Sequence, residues 1–303
     1  MHILITGGTG LIGSALCTHL IQHHHHVTVL TRRPRDVTGG VVYVCSLEDC
    51  SKPVDMVVNL AGANLADRRW SPAYKAEIRR SRVDLTQRLV AWMRCSKQPP
   101  RRLISASAIG YYGTSEQAYF DESSPVGEGF AATLCSDWEL AAAAAGDAGI
   151  EVVALRLGVV MAAQGSALQK MTQSFRFGVA SWLGSGEQWL SWIHLVDAVR
   201  VIEFVMTQEA PLAVYNAVAP DPVCHREFAR QVGKLRRPLL NLPVPGVIAS
   251  ALAGEMAEEL LLRGQRVLPV NLEGQGFEFR YPTLDTALTN LLVEGADHAG
   301  AAS

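Results

Sequence analysis

A glycine-rich turn that opens at the seventh residue constrains the fold more than any other feature of this chain. The N-terminus reads MHILITGGTGLIGSAL. Residues 2–6 form a short apolar run that stops at glycines, and residues 11–22 then carry Leu11, Ala15, Leu16 and Leu20 at helical spacing. Between them Gly7, Gly10 and Gly13 stand in G-x-x-G-x-x-G order. Glycines so spaced permit a tight strand-to-helix turn and let backbone N–H groups approach a pyrophosphate, whose charge the helix dipole favours. A glycine triplet alone also serves packing; the strand–turn–helix setting points to a dinucleotide.

The rest of the chain repeats that alternation. Strands are expected at 27–31, 41–45, 56–62, 102–107 and 152–160, with a long amphipathic helix over 72–95 and a helix over 133–145 that stops at Gly146. The link from 45 to 56 is too short for a full crossover helix and reads as a turn or loop. Alternating elements of this kind predict an α/β fold, a Rossmann-type doubly wound parallel sheet. Beyond residue 160 the pattern loosens: loops rich in Gly and Trp over 176–192, a helix over 195–207, a strand at 215–218, a helix over 224–236 and a linker at 241–246. A final unit over 247–293 holds two helical stretches. The expected division is a Rossmann domain over 1–220 with substrate-loop elements at 165–195, a smaller C-terminal unit over 240–294, and a frayed tail at 295–303.

Charge excludes some partners. With 27 basic and 29 acidic residues among 303, the chain lacks the basic excess of a nucleic-acid binder. No apolar run reaches the roughly 18 residues of a membrane span. The six cysteines show no C-x-x-C spacing and read as free thiols in a reducing compartment. Residues 1–8 do not have the form of a signal peptide, so the expected location is the cytoplasm. Four consecutive histidines, 23–26, cannot all converge on one ion and read as a solvated turn, so no metal is assigned.

The second strand ends at Thr31, Arg32 and Arg33, with no acid before Asp36. An acid there would hold a ribose 2′-hydroxyl; guanidinium groups suit a 2′-phosphate, so the cofactor expected is NADP(H) rather than NAD. Together with NLAG (59–62), ISASAIGYYG (104–113) and SWIHLVDAV (191–199), the glycine motif resembles the extended short-chain dehydrogenase/reductases. RRWSPAYKAEIRRSR (68–82), LCSDWE (134–139), GSGEQWLSWIH (184–194) and the GQRVLP and GFEFR segments resemble more narrowly the YfcH-type epimerase family proteins, which carry a C-terminal domain of unknown function. The resemblance implies that Gly7, Gly10, Leu11, Ile12 and Gly13 form the phosphate loop and that Thr31 and Arg32 meet the 2′-phosphate. It implies that Leu60 and Ala61 line the cofactor's path, that Glu77 and Arg82 touch the cofactor, and that Val160 lies near the nicotinamide.

The same resemblance exposes a gap. Members of the parent family carry Tyr-x-x-x-Lys, the Tyr as proton donor and the Lys to lower its pKa and hold the ribose. Counting back from Glu139 puts Ala131 at the Tyr position and Cys135 at the Lys position. Ser107 is left to orient a small-molecule substrate, and Tyr112 or Tyr111 to replace the missing acid. A phenol with no nearby cation should keep a pKa of about 10, which suits a donor better than a base. His194 and Asp197 are three apart, but no G-x-S-x-G elbow accompanies them, so His194 reads as a pocket wall or a satisfied core imidazole. Two functions stay open: an NADP(H)-dependent oxidoreductase or epimerase-like enzyme of unassigned substrate, and a catalytically silent NADP(H) sensor acting through a partner.

Overall fold

Ile3, Leu4 and Ile5 have no exposed surface, because the strand that carries them, His2–Thr6 (β1), is covered on both faces and paired on both edges. A computed structural model of the chain describes residues 1–50, 52–245 and 254–294. In it β1 pairs in parallel with His26–Leu30 (β2) and with Met56–Asn59 (β4); Val41–Val44 (β3) lies outside β2. Arg102–Ala108 (β5), Glu151–Leu157 (β6) and Val214–Ala217 (β7) extend the other side. The result is a seven-stranded parallel sheet in the order β7-β6-β5-β4-β1-β2-β3.

The chain runs outward from β1 to β3, then returns to β4 on the opposite side. That reversal opens a crevice at the carboxyl ends of β1 and β4, where open sheets of this kind bind ligands. Leu11–Gln22 (α1) and Leu195–Thr207 (α5) cover one face, setting Leu16, Leu20, Val201 and Ile202 against Ile3 and Ile5. Leu85–Cys95 (α3) and Phe130–Ala143 (α4) cover the other, where Leu89, Met93 and Ala142 meet Leu4, Val57 and Leu103. Among the described residues no helix is long and apolar enough to cross a membrane.

Several elements depart from the sequence reading. The expected helix over 72–95 begins at Pro72–Arg79 (α2), with Ser71 Oγ accepting from the Tyr74 N–H at 3.2 Å, but a π-helical turn at Arg80–Asp84 separates α2 from α3. Helix α4 starts three residues earlier than its apolar pattern, and its C-terminal 3-10 turn ends at Gly149 in the left-handed conformation, φ 74°, not at Gly146. The strand expected over 152–160 breaks at Gly158, where a Cβ would stand 2.7 Å from Val218 and 2.8 Å from the Ser191 carbonyl. Val159–Met161 then leaves the sheet and pairs with Trp192–His194.

The loops expected over 176–192 and the linker over 241–246 are also corrected. Val179–Leu183 pairs in parallel with Leu240–Val244, and Trp189–Leu190 pairs with Val223–Cys224. Pro243 is tolerated because this small two-stranded ladder is all edge. His225–Arg236 (α6) packs beside it, with Phe228 and Val232 in a second apolar cluster around Trp192. The tail at 295–303 lies outside the described residues.

Candidate functional site

The turn after β1 can be made only by glycine at its closest points. Gly7 has φ +70°, and a Cβ there would lie 2.7 Å from the Leu60 carbonyl and 2.8 Å from Ala61 N. A Cβ on Gly13 would collide with the Gly7 carbonyl. The loop after β4 is drawn against this turn by two bonds: Leu60 N–H donates to the Thr6 carbonyl at 3.1 Å and Ala61 N–H to Thr6 Oγ1 at 3.2 Å. Gly10 N-caps α1 and supplies no side-chain cap. The first-turn N–H groups of Leu11, Ile12 and Gly13 therefore have no intrahelical partner, which is the form of an anion site.

The rim carries cations without carboxylates. Thr31, anchored through its N–H to the Val44 carbonyl at 2.9 Å, directs Arg32 outward; Arg32 is exposed and makes no ion pair among the described residues. The π-helical turn re-aims Arg82 so that its guanidinium lies over Gly62, where an added Cβ would be 2.8 Å from its Cζ. Arg82 also stands 5.3 Å from the centroid of Trp138. Its hydrogen bonds among the described residues are two long ones, 3.5 Å to the Ile78 carbonyl and 3.5 Å to Ser81 Oγ. Burial pulls its pKa below the ordinary guanidinium value. Glu77 is half-buried on α2, with Arg68 Nη1 3.8 Å from its carboxylate. Gly7 and Gly13, Leu60 and Ala61 thus meet in one crevice, with Arg82 over Gly62 beside it. Val160 lies on the small ladder beside the sheet, packed against the same apolar cluster as Leu60.

The three expected catalytic residues meet in a different way. Ser107, at the end of β5, donates to Glu139 Oε1 at 2.6 Å. Arg156 from β6 holds Glu139 with two bonds of 2.9 Å and donates through Nη1 to the Tyr112 hydroxyl, also at 2.9 Å. Tyr112 in turn donates to Asn216 Oδ1 at 2.7 Å. Its ring is 2% exposed, and burial pushes its pKa up to about 12, Arg156 notwithstanding. The Tyr111 ring lies under Arg156, 3.4 Å from Cζ. A hydroxyl that already donates to one buried group and accepts from another, with so high a pKa, is poorly suited to protonate a substrate. The expectation of a Tyr112 phenol with no nearby cation is also corrected: Arg156 is at its side.

Ala131 and Cys135 lie side by side on α4, facing the end of β5. A Cβ on Gly110 would be 3.1 Å from the Ala131 methyl and 3.9 Å from Cys135 Sγ. Cys135 is buried, and burial, reinforced by the Glu139 charge, pushes its thiol up to about 11, so it is not a nucleophile at neutral pH. His194 caps α5, accepting from the Val196 N–H at 3.1 Å, and its Nε2 lies 3.2 Å from Asn290 Oδ1. It is a satisfied core imidazole.

Sequence reasoning used Glu139 only as an anchor and passed over Arg156 and Asn216. Arg156 had a signal: it is the one charge inside the apolar run VVALRLGVV. A lone guanidinium there must find a buried acid. Glu259 had no such signal. Its carboxylate accepts from the Phe130 N–H at 3.0 Å and the Ala131 N–H at 2.9 Å, capping α4 across nearly half the chain.

Comparison with known proteins agrees with this geometry. Residues 3–217 match the NAD dependent epimerase/dehydratase family, and residues 244–291 match a domain of unknown function, DUF1731. The chloroplastic epimerase family protein SDR39U1 homolog of Arabidopsis thaliana is 39% identical, over 96% of this chain and 87% of its own length. Human epimerase family protein SDR39U1 is 33% identical, over 97% of this chain and 100% of its own. A crystal structure of the human protein (isoform 2) with NADPH superposes with a TM-score of 0.89, over 96% of this chain and 99% of that one. MoeE5 in complex with UDP-glucuronic acid and NAD, 22% identical, shares the fold with a TM-score of 0.79, over 99% of this chain and 100% of that one. On residues 3–217 and on these relatives, the chain belongs to the NAD dependent epimerase/dehydratase family, in the extended short-chain dehydrogenase/reductase class.

Proposed function

We propose that the chain is an NADP(H)-dependent oxidoreductase or epimerase-like enzyme acting on a small molecule with an alcohol or carbonyl carbon. The observation that carries this reading is the uncapped start of α1 beneath the Gly7–Gly13 turn, with two carboxylate-free arginines, Arg32 and Arg82, on the rim. Gly7, Gly10, Leu11, Ile12 and Gly13 would hold the pyrophosphate, Thr31 and Arg32 the 2′-phosphate, and Leu60 and Ala61 the path between. Arg82, over Gly62, would supply the positive charge at the ribose that a Lys at position 135 would otherwise give, with Glu77 and Val160 as further contacts. The cofactor, when bound, supplies hydride exchange.

The chain's own contribution is orientation and the exclusion of water. Ser107 gives its proton to Glu139, so its oxygen is left as an acceptor that can hold a substrate hydroxyl. Glu139, itself held by Arg156, keeps Ser107 in place, and the proton comes from substrate or water. A silent sensor is the second reading, favoured by Ala131 and Cys135 at the positions of the usual pair.

Calorimetric titration with NADPH and NADH tests the cofactor. Wild type should prefer NADPH. Because Arg32 is exposed, Arg32→Ala should leave the fold intact and weaken NADPH binding by about 10- to 100-fold, the loss of roughly 1.5–3 kcal/mol for a charge-assisted bond, with NADH little changed. Equal binding of both coenzymes by wild type sinks the NADP(H) assignment. Tight binding without oxidation of NADPH by any aldehyde, ketone or quinone would favour the sensor.

A further inference from the structure

The histidine run is not a site, but one of its members joins two residues that are distant in sequence. His19 on α1 and His23, the cap at its C-terminus, lie one helical turn apart, ring centroids 4.2 Å apart. Glu203 of α5 comes against them, with Oε2 2.9 Å from His19 Nε2. One ligand atom from each of the three residues lies within 4.8 Å of the other two. Tetrahedral coordination at about 2.0–2.1 Å places ligand atoms about 3.3 Å apart, so small side-chain movements would close the set.

Two details fit ligation better than a plain ion pair. His19 Nε2 is buried and close to Glu203 but not aligned to hydrogen-bond it, and it has no other partner among the described residues. His23 Nδ1 lies 2.8 Å from the His19 carbonyl and so must carry the proton, which leaves Nε2 as a lone pair. Fixing the tautomer through a backbone carbonyl is how metal-binding histidines are commonly oriented. Of the rest of the run, His24 takes the left-handed turn, φ 60°, His26 opens β2, and His25 stays near the three but turns its Nδ1 to the N-terminal amine at 3.4 Å.

We propose that His19, His23 and Glu203 bind one divalent transition-metal cation of the zinc, cobalt or nickel class, with water completing the shell. Two imidazoles and one carboxylate suit such ions better than magnesium or calcium, which prefer oxygen throughout. The ion would tie the end of the cofactor-loop helix α1 to α5 on the face away from the crevice. This site stands whether or not the chain is an enzyme.

The test is titration of chelator-stripped full-length protein with Co²⁺, followed by visible absorption, and with Zn²⁺, followed by calorimetry and thermal denaturation. Wild type should take up one equivalent, develop the absorption of tetrahedral or five-coordinate cobalt, and melt at higher temperature with Zn²⁺. Glu203→Gln and His23→Gln should each weaken uptake at least tenfold and abolish the shift. His24→Asn with His26→Gln should leave both unchanged. Glu203→Gln keeps the side-chain shape and is partly exposed, so its metal-free melting temperature serves as the folding control. No stoichiometric uptake by wild type, or uptake lost in the His24/His26 variant and kept in Glu203→Gln, overturns the site.

Discussion

The Tyr112 hydroxyl shows how a residue can look catalytic in sequence and be structural in space. It follows Ser107 closely in the chain, where either Tyr111 or Tyr112 could replace the missing acid. Its bonds to Arg156 and Asn216 commit it instead to the interior. Tyr112→Phe would strip one partner from each of two buried groups, at a cost of about 1–3 kcal/mol. We expect a lower melting temperature with unchanged turnover per folded molecule. A 100-fold fall in kcat with the fold intact would make Tyr112 the acid after all. Ser107→Ala should behave oppositely. It leaves Glu139 with both Arg156 bonds and so costs less stability, while turnover falls because a substrate hydroxyl loses its acceptor. Steady-state kinetics with calorimetrically measured stability separates the two. The strand–turn–helix at Gly7 to Gly13 was legible at this scale, since both glycines are demanded by local backbone geometry. The network around Glu139 was not, because three of its members lie on different strands and helices and meet only through the sheet.

Helix α4 sets the same lesson at the scale of an element. Its composition reports a helix over 133–145, which the structure bears out in extent to within a few residues, but its N-terminus has no capping side chain of its own. Glu259 does the capping, and no local pattern encodes a partner so far along the chain. Glu259→Ala should cost about 0.5–2 kcal/mol, the usual penalty for losing a cap. It should also speed amide exchange at Phe130 to Leu134 before any change elsewhere. Uniform acceleration across the molecule would mean that Glu259 contributes to global packing instead. Other elements were misread for related reasons. Val179–Leu183 and Leu240–Val244 are strands only because they find each other across some sixty residues; alone, Trp182 between Gly178 and Gly184, and Pro243, carry the signals of a loop. The π-helical turn at Arg80–Asp84 leaves helical periodicity nearly intact, so it was invisible in the sequence, yet it puts Arg82 over Gly62.

For the whole molecule, the decisive fact is how residues 255–294 join the sheet. Leu272 and Phe277 enter the same apolar cluster as Ile3 and Ile5, and Leu284 and Leu288 enter the cluster of Trp192. Asp197, fully buried on α5, accepts from the Arg280 N–H at 2.9 Å and the Tyr281 N–H at 2.8 Å. The His194 ring lies tilted against Tyr281, with centroids 4.0 Å apart. Burial holds the His194 pKa down near 4, although Asp197 and Asn290 pull it up; Arg280 adds to the lowering. Free histidine titrates near 6.5, so the unfolded chain takes up a proton first as pH falls. Above about 6.5 neither state is protonated and His194 has no pH-linked effect; stability then falls until the folded pKa is reached. Between pH 7 and 5 the loss should be about 2 kcal/mol from this residue. His225, also lowered to about 4 but less completely buried by surface area, should add a smaller share. Chelator-treated protein should therefore show a falling denaturation midpoint over that range. His194→Asn keeps a good N-cap for α5 but nothing that titrates there. It should be less stable than wild type at pH 7, having lost the Tyr281 contact, and should show a flatter profile toward pH 5. If the two profiles run parallel, the acid sensitivity comes from elsewhere and His194 is not the joint that protonation opens between α5 and the C-terminal segment.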